Sequence, residues 1–153
     1  MSFNKLGLNL MIQRTCEKIQ YQTPTPIQAL AIPSILSGKS VIANSETGSG
    51  KTAAFGLPMV HKLSKDPFSI FAVIITPTIE LAIQISQQLA IFGQGMNLRQ
   101  ALVIGKTSIA KQIDELEAYP HVVVGTPGRM RDLLDRCEKF REDIVRAEMI
   151  VLD

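Results

Sequence analysis

One stretch of this chain carries residue types and spacing suited to holding a polyanion. Ser45-Glu46-Thr47-Gly48-Ser49-Gly50-Lys51-Thr52 meets the pattern Gly-x-x-x-x-Gly-Lys-Ser/Thr except at its first position, where Ser45 stands in place of glycine. Glycines let a backbone curl so that successive N–H groups point inward at phosphate oxygens. A helix starting at the end of such a loop adds the partial positive charge of its N-terminus. Lys51 supplies a point charge for β and γ phosphates, and the Thr52 hydroxyl can ligate Mg²⁺. A Gly/Ser-rich turn that merely precedes a helix is the plainer reading. The loop's position between an apolar run, Ser40–Ala43, and a helix-period segment argues against it. The chemistry implied is binding of a nucleotide, ATP or ADP, with Mg²⁺.

Two further junctions have the composition of helix starts. Thr76-Pro77 and Thr126-Pro127 each follow an apolar run; each Thr can cap a helix and each Pro suits the first helical position. Gly128 and Arg129 follow the second, with Arg129 off the apolar stripe of Met130, Leu133 and Leu134 and therefore expected to be exposed. Gly105-Lys106, after another apolar run, adds backbone N–H groups and a cation. In a parallel sheet the loops leaving the C-terminal strand ends line one edge, where ligands bind. These junctions could hold a second polyanion there; plain helix capping is the alternative.

Strands and helices must alternate for this to work, and the pattern of the chain says that they do. Strands are expected at Ser40–Ala43, Phe71–Ile75, Ala101–Ile104, His121–Val124 and Met149–Leu152. They are apolar nearly throughout, as strands covered on both faces should be. Ala82, Ile85, Leu89 and Phe92 recur at helical spacing, as do Ile109, Ile113 and Leu116, and Met130, Leu133, Leu134 and Cys137. Helices are also expected at about Asn9–Ile19 and Pro26–Leu36. The fold class is therefore α/β, with a mostly parallel central sheet and helices on both faces.

At 153 residues with 46% hydrophobic content, the chain is long enough and apolar enough for one domain with a core. No apolar run approaches the roughly 20 residues that span a bilayer, so no membrane partner is expected. The start, MSFNKLGLNL, lacks a basic region ahead of a long apolar one, which argues against a secretory signal. Cys16 and Cys137 show no metal-ligand spacing and read as reduced thiols of an intracellular protein. A net charge of +2 is too small to argue for nucleic acid by itself.

In order along the chain, these residues resemble the motifs of the DEAD-box RNA helicase family. Tyr21–Gln28 (YQTPTPIQ) is similar to that family's Q motif, which includes Thr23, with Phe3 as its isolated upstream aromatic. Ser45–Thr52 resembles motif I, Pro77–Ala82 the PTRELA motif, Gly105-Lys106 the double-glycine motif and Thr126–Arg129 the TPGR motif. Val151-Leu152-Asp153 looks like the beginning of VLDEAD. The resemblance implies a RecA-like P-loop domain over residues 1–153, with the Q motif at 3–28, breaking off where the DEAD motif begins. A second RecA-like domain, absent here, would act in cis. Gln28 would read adenine through its amide, which offers both a donor and an acceptor, and Phe3 would stack on the base. Lys51 and Asp153 would serve catalysis, with Thr52 and Asp153 at Mg²⁺, Asp153 bridged by water as the ion sheds its hydration reluctantly. Pro77, Thr78, Gly105, Thr126, Pro127, Gly128 and Arg129 would hold an RNA sugar–phosphate backbone, largely without sequence preference.

Departures from the family pattern are specific. Gln20 stands where the family has Gly before the Q-motif aromatic, Ser45 replaces the usual Ala, and Lys106 replaces the second Gly of its motif. Ile79 replaces the Arg of PTRELA, removing several phosphate donors that a neighbour such as Lys106 would have to supply. The family's water-activating Glu follows the position of Asp153 and its arginine fingers lie in the second domain, so the segment alone is expected to bind nucleotide without turnover. Lys62–Thr78 resembles the branch that works in ribosome assembly, which points to the nucleus or nucleolus, otherwise to the cytoplasm. The resemblance leaves room for a protein activator. Competing readings are another P-loop ATPase, such as a DNA-directed helicase, and a non-catalytic RNA or protein docking module that retains the fold.

Overall fold

The periodicities resolve into helices and parallel strands in the computed structural model, which describes residues 2–153. The chain divides into two compact units, Met1–Lys65 with Gln88–Met96, and Asp66–Gln87 with Asn97–Asp153.

The first unit is helical. A 3-10 turn at Phe3–Lys5 precedes α1 (Leu10–Lys18), α2 (Pro26–Leu36) and α3 (Lys51–Lys65). Asn9 starts α1 as its N-cap: its Oδ1 accepts from Ile12 N at 3.0 Å. Pro26 occupies the first position of α2, behind Thr25 as N-cap. α3 buries residues around its whole circumference, among them Ala53, Leu57, Met59, Val60 and Leu63, which marks it as the central helix of the unit. Close packing there depends on Gly56, whose missing Cβ would lie 3.0 Å from Phe92 Cδ2 and 3.1 Å from Leu89 Cδ2.

The second unit is built on a parallel sheet of β1 (Ala72–Ile75), β2 (Gln100–Val103), β3 (Val122–Gly125) and β4 (Met149–Leu152), in the order β2-β3-β1-β4. Every pairing is parallel, with Ile75 level with Gly125 and Leu152, and Val103 level with Gly125. One face presents Val73, Ala101, Val103 and Val123 to a core shared with Leu116, Met130, Leu133, Cys137 and Phe140. Those residues belong to α5 (Ile109–Glu117), α6 (Pro127–Arg136), α7 (Glu138–Ile144) and the α6–α7 junction. On the other face Gln100 Nε2 donates to Ser86 O of α4 (Ile79–Phe92) at 3.0 Å. Ala72, Ile74, Val122 and Val124 on that face are fully buried. Helices therefore cover both faces, as the uniformly apolar strands require. Gly125 lets β3 approach β2, since a Cβ there would run into the Val103 carbonyl.

Two expectations are corrected. Ser40–Ala43 is not a strand: residues 39–46 have no regular structure, and Val41 and Ile42 are exposed. Apolar residues alone do not make a strand; the backbone needs a neighbour to complete its hydrogen bonds, and among the described residues none pairs with this run. Thr76 and Pro77 do not open α4. Thr78 is the cap, its Oγ1 accepting from Leu81 N at 3.2 Å, while Thr76 is buried and donates its hydroxyl proton to Thr78 O at 3.0 Å. The sequence pattern does not announce α7, because its exposed face is almost wholly charged and its buried residues are one apolar, Phe140, and one carboxylate, Asp143.

Candidate functional site

The phosphate-loop candidate lies in the helical unit. Gly48 and Gly50 sit at φ +80 and +86, the left-handed region that side chains rarely adopt. The loop closes on itself: Lys51 Nζ donates to Ser45 O at 2.6 Å, and the Ser45 and Ser49 hydroxyls share a hydrogen bond of 2.7 Å. Gly50 O accepts from Ala54 N at 3.1 Å, the first turn of α3. The same carbonyl accepts from Gln28 Nε2 at 3.2 Å, while Gln28 Oε1 accepts from Thr25 N at 3.0 Å. Gln28 is 3% exposed. A Cβ at position 50 would collide with its amide nitrogen, so the glycine is required twice, by conformation and by space. Glu46, Thr47 and Gly48 are exposed, and Ser49, Gly50, Lys51 and Thr52 are partly so.

These residues fit a triphosphate and its cation. An ammonium that bonds one carbonyl keeps two donors; Lys51 has that capacity beside a run of N–H groups at a helix start. Thr52, partly exposed, offers an oxygen of the class Mg²⁺ takes. Gln28 retains one N–H and one acceptor lone pair beyond its two internal bonds.

The Q-motif aromatics are arranged differently from the expectation. Phe3 is 3% exposed, and its ring stacks on Tyr21 with centroids 6.1 Å apart and planes at 25°. Tyr21, 36% exposed, also meets Phe92 edge-on at 6.5 Å. Phe3 is thus covered, and Tyr21 is the more exposed ring of the pair. Thr23 is exposed beside buried Pro24. Gln20 takes φ +62, the conformation that a glycine at this position would supply without strain. Cys16, buried nearby on α1, has its thiol pushed up to about 11, chiefly by burial, so it stays protonated.

In the second unit the parallel register brings the remaining candidates to one edge. The loops after β2, β3 and β1 follow one another across it, with Asp153 next, exposed at the end of β4 and donating its N–H to Ile75 O at 3.0 Å. Pro77, Thr78, Pro127 and Gly128 are exposed, and Gly105 and Thr126 partly so. Thr126 occupies the N-cap position of α6 without a side-chain cap bond, and Pro127 takes the first helical position. Lys106 is exposed at φ +62. Ile79 lies over Gly105, where an added Cβ would be 3.8 Å from Ile79 Cδ1. Arg129 is not the free arginine that the stripe suggests. It is half-buried, and its Nη1 donates to Thr107 O at 2.8 Å and Gln112 Oε1 at 3.2 Å. Gln112 escaped the sequence reading; its only signal was an amide at a core position of α5.

Residues 25–153 match the family described as DEAD/DEAH box helicase. The chain is 40% identical over 152 residues to the DEAD-box ATP-dependent RNA helicase 36 of Arabidopsis thaliana, covering 99% of this chain and 31% of that protein. It is 43% identical over 154 residues to the ATP-dependent RNA helicase DBP8 of Candida albicans, covering 100% of this chain and 35% of that one. With the probable ATP-dependent RNA helicase DDX49 of Homo sapiens it shares 40% identity over 151 residues, covering 99% and 31%. The chain therefore spans about a third of the length of these curated relatives. A crystal structure of a DEAD box protein from the hyperthermophile Methanococcus jannaschii superposes with a TM-score of 0.86 at 29% identity, covering 100% of this chain and 50% of that one. The α/β, RecA-like class expected from the sequence is thereby established.

Proposed function

Because the chain belongs to the DEAD/DEAH box helicase family, we propose that it is the ATP-binding, RecA-like domain of an ATP-dependent RNA helicase. The observation that carries the reading is the buried Gln28 amide locked to the carbonyl of Gly50 inside a Gly-rich loop that ends in Lys51 and Thr52. Loop and amide form one hydrogen-bonded piece, so phosphate binding and base recognition are mechanically joined.

In this reading Gly48, Ser49, Gly50 and the first N–H groups of α3 wrap the phosphates, with Ser45, Glu46 and Thr47 forming the rim. Lys51 would exchange the Ser45 carbonyl for a phosphate oxygen, and Thr52 would offer its hydroxyl to Mg²⁺. The ion, when bound, neutralises phosphate charge. Gln28 reads adenine with its remaining donor and acceptor, Thr23 borders the base, and Tyr21 backed by Phe3 stacks on it. Asp153 carries the carboxylate that the family resemblance assigns to Mg²⁺. RNA is held along the edge of the parallel sheet by Pro77, Thr78, Gly105, Thr126, Pro127, Gly128 and Arg129. Lys106 supplies there the cation that Ile79 does not. A second RecA-like domain in cis and an activating protein complete the machine. The resemblance of Lys62–Thr78 extends the reading to ribosome assembly and a nucleolar site of action.

Nucleotide affinity in full-length protein tests the carrying observation. Gln28→Ala should weaken ADP and ATP by about tenfold or more, the worth of a lost hydrogen-bonded base contact, and guanine nucleotides far less. Equal losses for the two bases would mean that Gln28 only braces the loop. RNA-stimulated hydrolysis that DNA does not elicit separates this reading from a DNA-directed motor, and RNA binding without hydrolysis would favour the docking module.

A further inference from the structure

α5 turns Ile109, Ile113 and Leu116 toward the core, yet Gln112, on the same side of the helix, is 1% exposed. A buried amide persists where its donor and acceptor both find partners. Gln112 Nε2 donates to Ile104 O at 2.8 Å, and its Oε1 accepts from Arg129 Nη1 at 3.2 Å. The same Arg129 nitrogen donates to Thr107 O at 2.8 Å. Gln112 and Arg129 together therefore join the end of β2, the loop Gly105–Ser108 and the first turn of α6. Inside that loop Lys106 is held left-handed at φ +62, a conformation that a lysine keeps only where its surroundings impose it. Nε and Nη2 of Arg129 have no protein partners among the described residues.

We propose that Gln112 is a positioning residue for the polyanion-binding edge. Through Ile104 O and Arg129 it presets both the Gly105–Ser108 loop and the guanidinium, so that Lys106, the loop amides and the Nε and Nη2 donors of Arg129 are in place before a phosphate arrives. The inference rests on the reading of this edge as an RNA surface only for the identity of the polyanion. Preorganisation lowers the ordering cost of binding, so loss of the clamp weakens binding without removing a charge.

The test measures RNA affinity against salt in full-length protein for wild type, Gln112→Met, Arg129→Gln, the double variant and Lys106→Gln. Gln112→Met removes both of its hydrogen bonds and should weaken RNA roughly tenfold, with the slope of log affinity against log salt unchanged. Lys106→Gln should reduce that slope by about 0.7. In the Arg129→Gln background Gln112→Met should cost less than about twofold, because the two act as one unit. Effects that multiply undiminished, or an RNA affinity that ignores Gln112→Met, overturn the proposal. Amide hydrogen exchange supplies a readout without RNA: Gly105–Ser108 should exchange faster in Gln112→Met while Val122–Gly125 keep their protection, and unchanged loop exchange also overturns it. Should Gln112→Met fail to fold, Arg129→Gln gives the same exchange readout from a half-buried position. Faster loop exchange with no RNA binding by the wild type would retain the clamp and discard the RNA reading.

Discussion

Gly50 shows how much a single residue decides in the phosphate loop. Its φ of +86 and the Gln28 amide nitrogen against its α-carbon leave no room for a side chain. Gly50→Ala should cost about 1–3 kcal/mol of stability from backbone strain alone, seen in a urea titration. It should also remove most nucleotide affinity in a titration calorimeter, since the new methyl displaces Gln28; an alanine variant that binds ADP as wild type does would refute this joint role. The types of these residues were legible because their chemistry is local: glycines, a lysine and a hydroxyl at fixed offsets. What Phe3, Gln28, Gln112 and Arg129 touch was not legible. Their partners lie between 3 and 22 residues away, and only folding decides which of them is nearest.

At the scale of elements, capping and pairing govern what forms. Asn9 illustrates the first: its Oδ1 caps α1, its Nδ2 donates to Ser64 Oγ at 2.9 Å and its backbone N–H donates to His61 Nδ1 at 3.0 Å, joining α1 to α3. Asn9→Ala should cost about 1–2 kcal/mol, as a lower urea midpoint at constant m-value; a midpoint within error of wild type would show the cap to be dispensable. Pairing is illustrated by Ser40–Ala43, which has the composition of a buried strand and no partner, and is coil. Met149–Leu152 has a similar composition and pairs with β1 along its length. Composition therefore read the same in both, and the neighbour made the difference. Likewise Thr78 rather than Thr76 caps α4, because a cap is chosen by the path of the chain leaving β1 and not by the Thr-Pro pair.

Both histidines of the molecule, one in each unit, set its response to acid. Each Nδ1 accepts a backbone N–H, His61 from Asn9 at 3.0 Å and His121 from Arg99 at 3.1 Å, so each ring is neutral at that nitrogen. Burial lowers the pKa of both below the ordinary 6.5, assisted by Lys65 and Lys62 at His61 and by Arg99 at His121. The unfolded chain thus takes up these protons first, so stability is complete about a unit above pH 6.5 and declines as pH falls through it. The melting temperature should drop between about pH 7.5 and pH 5.5, and a flat profile would contradict the neutral, buried state of these rings. The sequence by itself determined the α/β class, the apolar runs, the helical stripes and the chemical capability of the phosphate loop, because those follow from residue type and short-range spacing. The tertiary structure alone decided which apolar run became a strand, which aromatic covers the other and whether an arginine is free or clamped. Each of those outcomes depends on partners that approach only when the chain is folded, and a buried polar group or an unpaired strand takes its state from the neighbour it finds.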